Sequence, residues 1–317
     1  DALDRRRQGP AAQDPLLSGR RPARLTVFGG QSKATRMALA RPLAAAATAS
    51  LAALLALDQP QVMGILNVTP ASFSDGGRFV DPALAIEQAE RMIAAGADIV
   101  DIGAESTRPY GGMQPVTPDE ELARLAPVLP AVVKLKTPVS IDTMKAIVAT
   151  WALDQGAAMV NDVWGLQRDP AMAEVVSEYD MPVVIMHNRE AADPALDIIA
   201  DVAAFFARSL EQAERAHIAR DCIVLDPGIG FGKTPEQSLA CVARLAEFKR
   251  FGLPLLVGAS RKRFINSVTP AAPDERLGGS IASHLAAVKN GAAIVRTHDV
   301  AETVQALRVA AAIEEAR

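Results

Sequence analysis

Residues 62–77 read VMGILNVTPASFSDGG. The first five, from Val62 to Leu66, are apolar without alternation, the pattern of a strand buried on both faces of a parallel sheet. Asn67 closes the run, and Thr69, Pro70, Ser74, Asp75 and two glycines then break it into a loop. A strand that ends by presenting polar side chains to a loop is the unit from which α/β proteins assemble a site. The same unit recurs seven times downstream.

The repeats predict strands over 62–68, 98–103, 138–142, 159–163, 183–186, 222–225, 255–257 and 293–297. Helical patterns over 82–95, 118–135, 145–155, 171–179, 196–216, 237–250, 279–290 and 301–315 alternate with them. Eight strands in strict alternation with eight helices predict a (β/α)8 TIM barrel; an open doubly wound sheet is the alternative, which a count of eight disfavours. Gly96, Gly156, Gly252 and Gly291 stand where helices must stop, and Asp81, Thr117, Asp169 and Asp299 stand where helices begin.

Upstream the pattern changes. Residues 1–22 mix Arg, Gln, Pro, Gly and Asp without periodicity, as a solvated arm does. Residues 24–28 read as a short strand and 37–57 as an Ala-rich helix packing across one end of the barrel, which divides the chain into an N-terminal extension, 1–60, and a barrel, 61–317. Arg41 and Pro42 interrupt the Ala-rich run, which suits neither a signal peptide nor a membrane span.

Composition narrows the function. The chain has 317 residues, half of them hydrophobic, with 33 Lys and Arg against 37 Asp and Glu. That balance opposes a surface built for nucleic acid. Cys222 and Cys241 are too few for a disulfide framework and fit a reducing, cytoplasmic setting.

In a barrel of this class the chemistry sits where strands end. The polar residues there are Asn67; Asp101, Glu105, Thr107 and Arg108; Asp142; Asn161 and Asp162; His187 and Asn188; Asp226; Ser260, Arg261 and Lys262; and Arg296 and His298. Asp142, Asn161, Asp226 and Lys262 offer acceptors and donors suited to the edge of a flat heterocycle. Arg108, Arg296 and His298, with Asn67 near them, suit an anion, and the exits of strands seven and eight are where barrels often hold phosphate.

Residues 226–233, DPGIGFGK, imitate a phosphate loop without its GxxxxGK[ST] spacing. Their glycines suit a close backbone approach to a ligand, with Phe231 offering an aromatic face. The four histidines show no zinc spacing. A Mg²⁺ shared with substrate phosphates needs only one or two protein oxygens, for which Asn67 and Asp75 are the candidates.

Eight motifs at the strand exits, MGILNVTPASFSDGG, DIGAESTRP, SIDT, NDV, VIMH, LDPGIGFGK, LLVGASRK and IVRTHDV, run collinear with those of the dihydropteroate synthases. From Val62 to the C-terminus the chain resembles that pterin-binding family. The resemblance implies a TIM barrel, usually dimeric, joining 6-hydroxymethyl-7,8-dihydropterin diphosphate to p-aminobenzoate with Mg²⁺ and releasing pyrophosphate. It gives Asp142, Asn161, Asp226 and Lys262 the pterin edge, lined by Met186. Asn67, Arg296 and His298 take the diphosphate, with Asn67 also at the metal. Asp75 and Arg108 fall in two loops that close over substrate, and Phe73, Thr107, Pro109, Phe231 and Ser260 border the aminobenzoate.

The chain departs from the family at Ala71, where an Asp is usual, and at Tyr110, where a Gly is usual. Two other readings compete. A pterin-dependent methyltransferase shares the pterin-binding Asp and Asn but predicts neither the STRP loop nor the SRK and RTHD anion set. A pterin-binding homologue without turnover is the reading Ala71 favours.

Overall fold

The computed structural model describes residues 55, 59–69, 81–105 and 116–316. The strand expected at 24–28, all but Leu55 of the helix expected at 37–57, and Ala71, Phe73, Asp75, Thr107, Arg108, Pro109 and Tyr110 lie outside the described residues.

Eight parallel strands form the barrel: β1 Gln61–Asn67, β2 Ile99–Gly103, β3 Val139–Asp142, β4 Met159–Asp162, β5 Val183–Met186, β6 Ile223–Asp226, β7 Leu256–Val257 and β8 Ile294–Thr297. Helices run between them: α1 Pro82–Ala94, α2 Pro118–Leu125, α3 Leu129–Val133, α4 Ala146–Asp154, α5 Met172–Tyr179, α6 Ile198–Arg215, α7 Pro235–Ala243, α8 Arg263–Val268, α9 Leu277–Lys289 and α10 Val300–Glu315. The sheet order is β6-β5-β4-β3-β2-β1-β8-β7. Its two edges meet through one bridge, Leu225 with Leu255, and the Leu225 N–H donating to Pro254 O at 2.9 Å. Among the described residues no helix is long and apolar enough to cross a membrane.

The helix expected over 118–135 is two helices, because Pro127 lacks the N–H that would continue α2 and Pro130 opens α3. The one expected over 237–250 is α7 followed by a 3-10 turn, Leu245–Phe251. Asp81 and Thr117 cap α1 and α2 through their side chains. Asp299 does not cap α10; its carboxylate pairs with Arg261 instead. The four helix-stop glycines all have positive φ.

Period-two alternation along each strand sorts the barrel interior into layers. Met63, Ile99, Met159, Val184, Val224, Leu256 and Ile294 come from seven strands and form one buried cluster, with Leu55 packed against it. Two residues further along β2, β4, β6 and β8, on the same inward faces, are Asp101, Asn161, Asp226 and Arg296. An apolar plug therefore underlies a polar layer.

Candidate active site

Arg296 is the node of the polar layer. From β8 its Nε donates to Asp101 Oδ2 on β2 at 2.6 Å, and a terminal nitrogen donates to Asp142 Oδ2 at the end of β3 at 2.7 Å. Asn161 on β4 donates to the same Asp101 oxygen at 3.1 Å. Bonds between strands that are not neighbours in the sheet can only cross the barrel lumen. Asp101, Asp142 and Asn161 are all buried, yet Asp101 Oδ1, Asp142 Oδ1 and Asn161 Oδ1 find no hydrogen-bond partner. Buried acceptors left this way cost about 1–3 kcal/mol each, so three together suit a ligand edge rich in N–H donors.

Burial also sets the charge states. It raises Asp142 to about 7, with Arg296 opposing and Asp101 adding to the rise. Asp226 is raised to about 6 by burial, moderated by the Gly228 N–H that donates to its Oδ1 at 2.7 Å. Lys262 is lowered to about 7, by burial and then by Arg296. Its ammonium lies 3.9 Å from the centre of the Phe231 ring, and Phe231 packs with Val163 and Met186 to make the apolar wall.

The loop after β6 holds this wall close to the strand ends. Gly228 has φ 65°, and a Cβ there would stand 1.9 Å from His187 O. Only glycine allows the two backbones to meet so closely.

At the other side of the site Ser260 Oγ accepts from the His298 N–H at 3.2 Å and lies 3.0 Å from His298 Nδ1. The Oγ thus ties both the backbone and the ring of His298 to the end of β7. Burial, with Arg296 and Arg261 adding, lowers His298 to about 3. His298 is therefore a neutral imidazole and not a second cation. Asn67 ends β1 in register with Gly103, whose Cβ position would lie 3.3 Å from Asp142 Cβ.

The structure gathers Asp142, Asn161, Asp226, Lys262, Arg296, Met186 and Phe231 at one end of the barrel, with Asn67, Ser260 and His298 at the neighbouring strand ends. Phe73, Asp75, Thr107, Arg108 and Pro109 lie outside the described residues. Residue types alone separate a heterocycle group from an anion group, whereas here Arg296 is fastened to Asp142 and bridges the two. Asp101 was readable only as one exit residue among many. Its signal is periodicity: Asp101 follows Ile99 as Asn161 follows Met159, Asp226 follows Val224 and Arg296 follows Ile294.

A pH prediction follows from Asp226. Because its folded pKa lies above the ordinary 3.8, the native state holds a proton that the unfolded chain releases between pH 3.8 and about 6. The stability this gives is complete below 3.8 and lost as pH rises through 6. Asp226→Asn should therefore stabilise the ligand-free protein at pH 8, by about 3 kcal/mol at most from the shift alone. Thermal melts from pH 4 to pH 8 check this; a gain that does not grow with pH refutes it.

The barrel with a buried polar layer at its strand ends defines the class. The family described as pterin binding enzyme matches residues 63–298. A dihydropteroate synthase of Bacillus subtilis (strain 168) is 45% identical over 240 residues, covering 75% of this chain and 83% of that protein. The Xanthomonas albilineans dihydropteroate synthase with 4-aminobenzoic acid superposes with a TM-score of 0.77 at 42% identity, covering 81% of this chain and 94% of that one. Its complex with 7,8-dihydropteroate gives a TM-score of 0.74 at 40% identity, with the same coverage of 81% and 94%. The chain belongs to the pterin binding enzymes, in their dihydropteroate synthase branch.

Proposed function

We propose that this chain condenses 6-hydroxymethyl-7,8-dihydropterin diphosphate with p-aminobenzoate, giving 7,8-dihydropteroate and pyrophosphate. The observation that carries the reading is the layer of buried Asp101, Asp142 and Asn161 held by the half-buried Arg296, with its unpartnered acceptor oxygens. A dihydropterin edge, with ring N–H and amino donors, supplies what those oxygens lack.

The charges define the chemistry. The methylene C–O bond breaks with its electron pair leaving on the pyrophosphate, and the resulting cation is delocalised into the pterin ring. Asp142 and Asp226 stabilise that cation from within the barrel, where water is excluded and a fixed charge acts strongly. His298 hydrogen-bonds the departing diphosphate as a neutral imidazole, and Arg296 contributes positive charge at the same end. The arylamine lone pair then forms the C–N bond, and the nitrogen proton is lost to solvent. No strong general base is needed.

Mg²⁺ belongs to the same reading. Among the described residues no group of three or more His, Cys, Asp or Glu is placed to hold a metal. An ion which keeps several waters and takes substrate phosphate oxygens needs only one or two protein ligands, for which the Asn67 amide oxygen is available. Bound there, it would supply charge to the leaving diphosphate. A homodimer in the cytoplasm, with no nucleic-acid partner, completes the proposal, and sedimentation velocity tests the dimer.

The decisive experiment incubates the purified chain with pterin diphosphate, p-aminobenzoate and Mg²⁺. Stoichiometric pyrophosphate and dihydropteroate are expected. Pterin binding with no pyrophosphate release would sink the catalytic claim, and methyl transfer from a methylfolate would replace it with the competing reading.

A further inference from the structure

Lys233 ends the motif that imitates a phosphate loop, yet its side chain points away from solvent and is 1% exposed. The Nζ donates to Gly228 O at 2.9 Å and to Phe231 O at 3.1 Å, and lies 2.6 Å from His187 Nδ1. An ammonium has three protons and no lone pair, so His187 must accept through Nδ1. The imidazole proton is then on Nε2, where it meets Asp201 Oδ2 at 3.0 Å. Arg189 holds both Asp201 oxygens, each at 3.0 Å. Burial keeps the imidazole neutral by lowering it to about 4, as this arrangement requires.

A chain of polar contacts thus runs from Arg189 through Asp201 on α6 and His187 after β5 to a cation at the centre of the loop after β6. Two backbone carbonyls converge on that cation. Without it Gly228 O would keep only the bond that the Phe231 N–H donates across the turn at 3.1 Å, and both carbonyls would lose a buried, charge-assisted partner, which loosens the turn. The turn they close carries both the Gly228 N–H that orients Asp226 and the Phe231 ring that faces Lys262.

We propose that Lys233 is a positioning residue for pterin recognition: an internal cation that gathers the carbonyls of Gly228 and Phe231 and thereby sets Asp226 and Phe231 against the ligand, with His187 as its fixed acceptor. The proposal rests on the pterin-binding reading above and extends it to residues that touch no substrate.

The test is calorimetric binding of 6-hydroxymethyl-7,8-dihydropterin diphosphate to the full chain, with p-aminobenzoate absent. Lys233→Met keeps length and loses charge, and should weaken binding about 30-fold, the scale of losing hydrogen bonds to buried acceptors. His187→Leu, which removes the acceptor, should weaken it about 5-fold, whereas His187→Asn, whose Oδ1 takes the place of Nδ1, should stay within about 2-fold of wild type. A role in folding alone would lower the melting temperature and the binding stoichiometry while leaving the Kd of the folded protein unchanged.

A wild-type Kd for Lys233→Met overturns the proposal. Should that variant not fold, equal Kd values for His187→Leu and His187→Asn overturn it instead. Wild-type protein that binds the pterin but releases no pyrophosphate defeats the synthase reading and leaves this one standing. Protein that binds no pterin at all defeats both.

Discussion

Arg296→Ala should sharply weaken pterin binding and lower stability in the same step. The single guanidinium charge is shared by two buried carboxylates, and removing it leaves Asp101 and Asp142 side by side on the neighbouring strands β2 and β3 with no cation between them. Breaking a buried pair from one side typically costs about 3–5 kcal/mol, the remaining charge having neither water nor partner. Part of that loss is relieved at low pH. Asp142 already titrates near 7 with Arg296 present, and without it the carboxyl takes up a proton more readily, so the deficit should be larger at pH 8 than at pH 6. Binding of a pterin should fall by about 100-fold or more whether or not it carries a diphosphate, because the arginine aligns the carboxylate that meets the ring. Residue types alone lead to another expectation, a loss confined to the diphosphate ligand. Calorimetry with the two ligands separates them, and a loss seen only with the diphosphate would show that the bonds to Asp101 and Asp142 carry no part of ring recognition. Arg296→Lys should rescue little, since one ammonium cannot reproduce the fork that spans both acids.

Lys262→Met should weaken pterin binding by about 100-fold, the scale of losing charge-assisted hydrogen bonds, and yet move stability the other way. Burial and Arg296 hold Lys262 near 7, below the ordinary 10.5. Between those values the unfolded chain binds a proton that the native state does not, so stability rises with pH across that window. The cost of the buried ammonium is complete below about 7 and fades towards 10.5. Methionine removes it, and the ligand-free variant should be more stable than wild type by on the order of 3 kcal/mol at pH 6.5, the gain shrinking at pH 9.5. Thermal melts at the two pH values, run beside a binding isotherm, check both halves. A variant that loses binding and stability together would mean that the ammonium supports the fold.

Much of this architecture is written locally in the chain. The apolar runs of β1 to β8 and the glycines that end helices are local signals, and the strands fall within a residue or so of their expected bounds. Helix subdivision was harder to read. Pro127 and Pro130 lie in a segment whose apolar spacing still suggests one helix, and the glycine pair at 278–279 hides the true start of α9. Site residues divided in a similar way. Asp142, Asn161, Asp226, Lys262 and Arg296 announce themselves by type and by position at strand exits. Asp101 does not, because its role depends on which strands face each other across the lumen. Nor does Lys233: the failed phosphate-loop spacing rules out one role for it, but only the structure shows the side chain turned inward to its own backbone. His298 is a third case: its type suggests a cation, but burial, with Arg296 and Arg261 beside it, makes it neutral.

The barrel's closure has a consequence for how substrate and scaffold depend on each other. β6 and β7 are joined by little more than the Leu225–Leu255 bridge, while the other neighbouring strands share continuous ladders. Asp226 is the last residue on one side of that seam, and Lys262 follows the strand on the other side. A heterocycle gripped by both would be a rung laid across the seam where the described ladder is thinnest. On the proposed reading, ligand binding would then brace the seam, and the ring that the enzyme holds would also help to hold the enzyme.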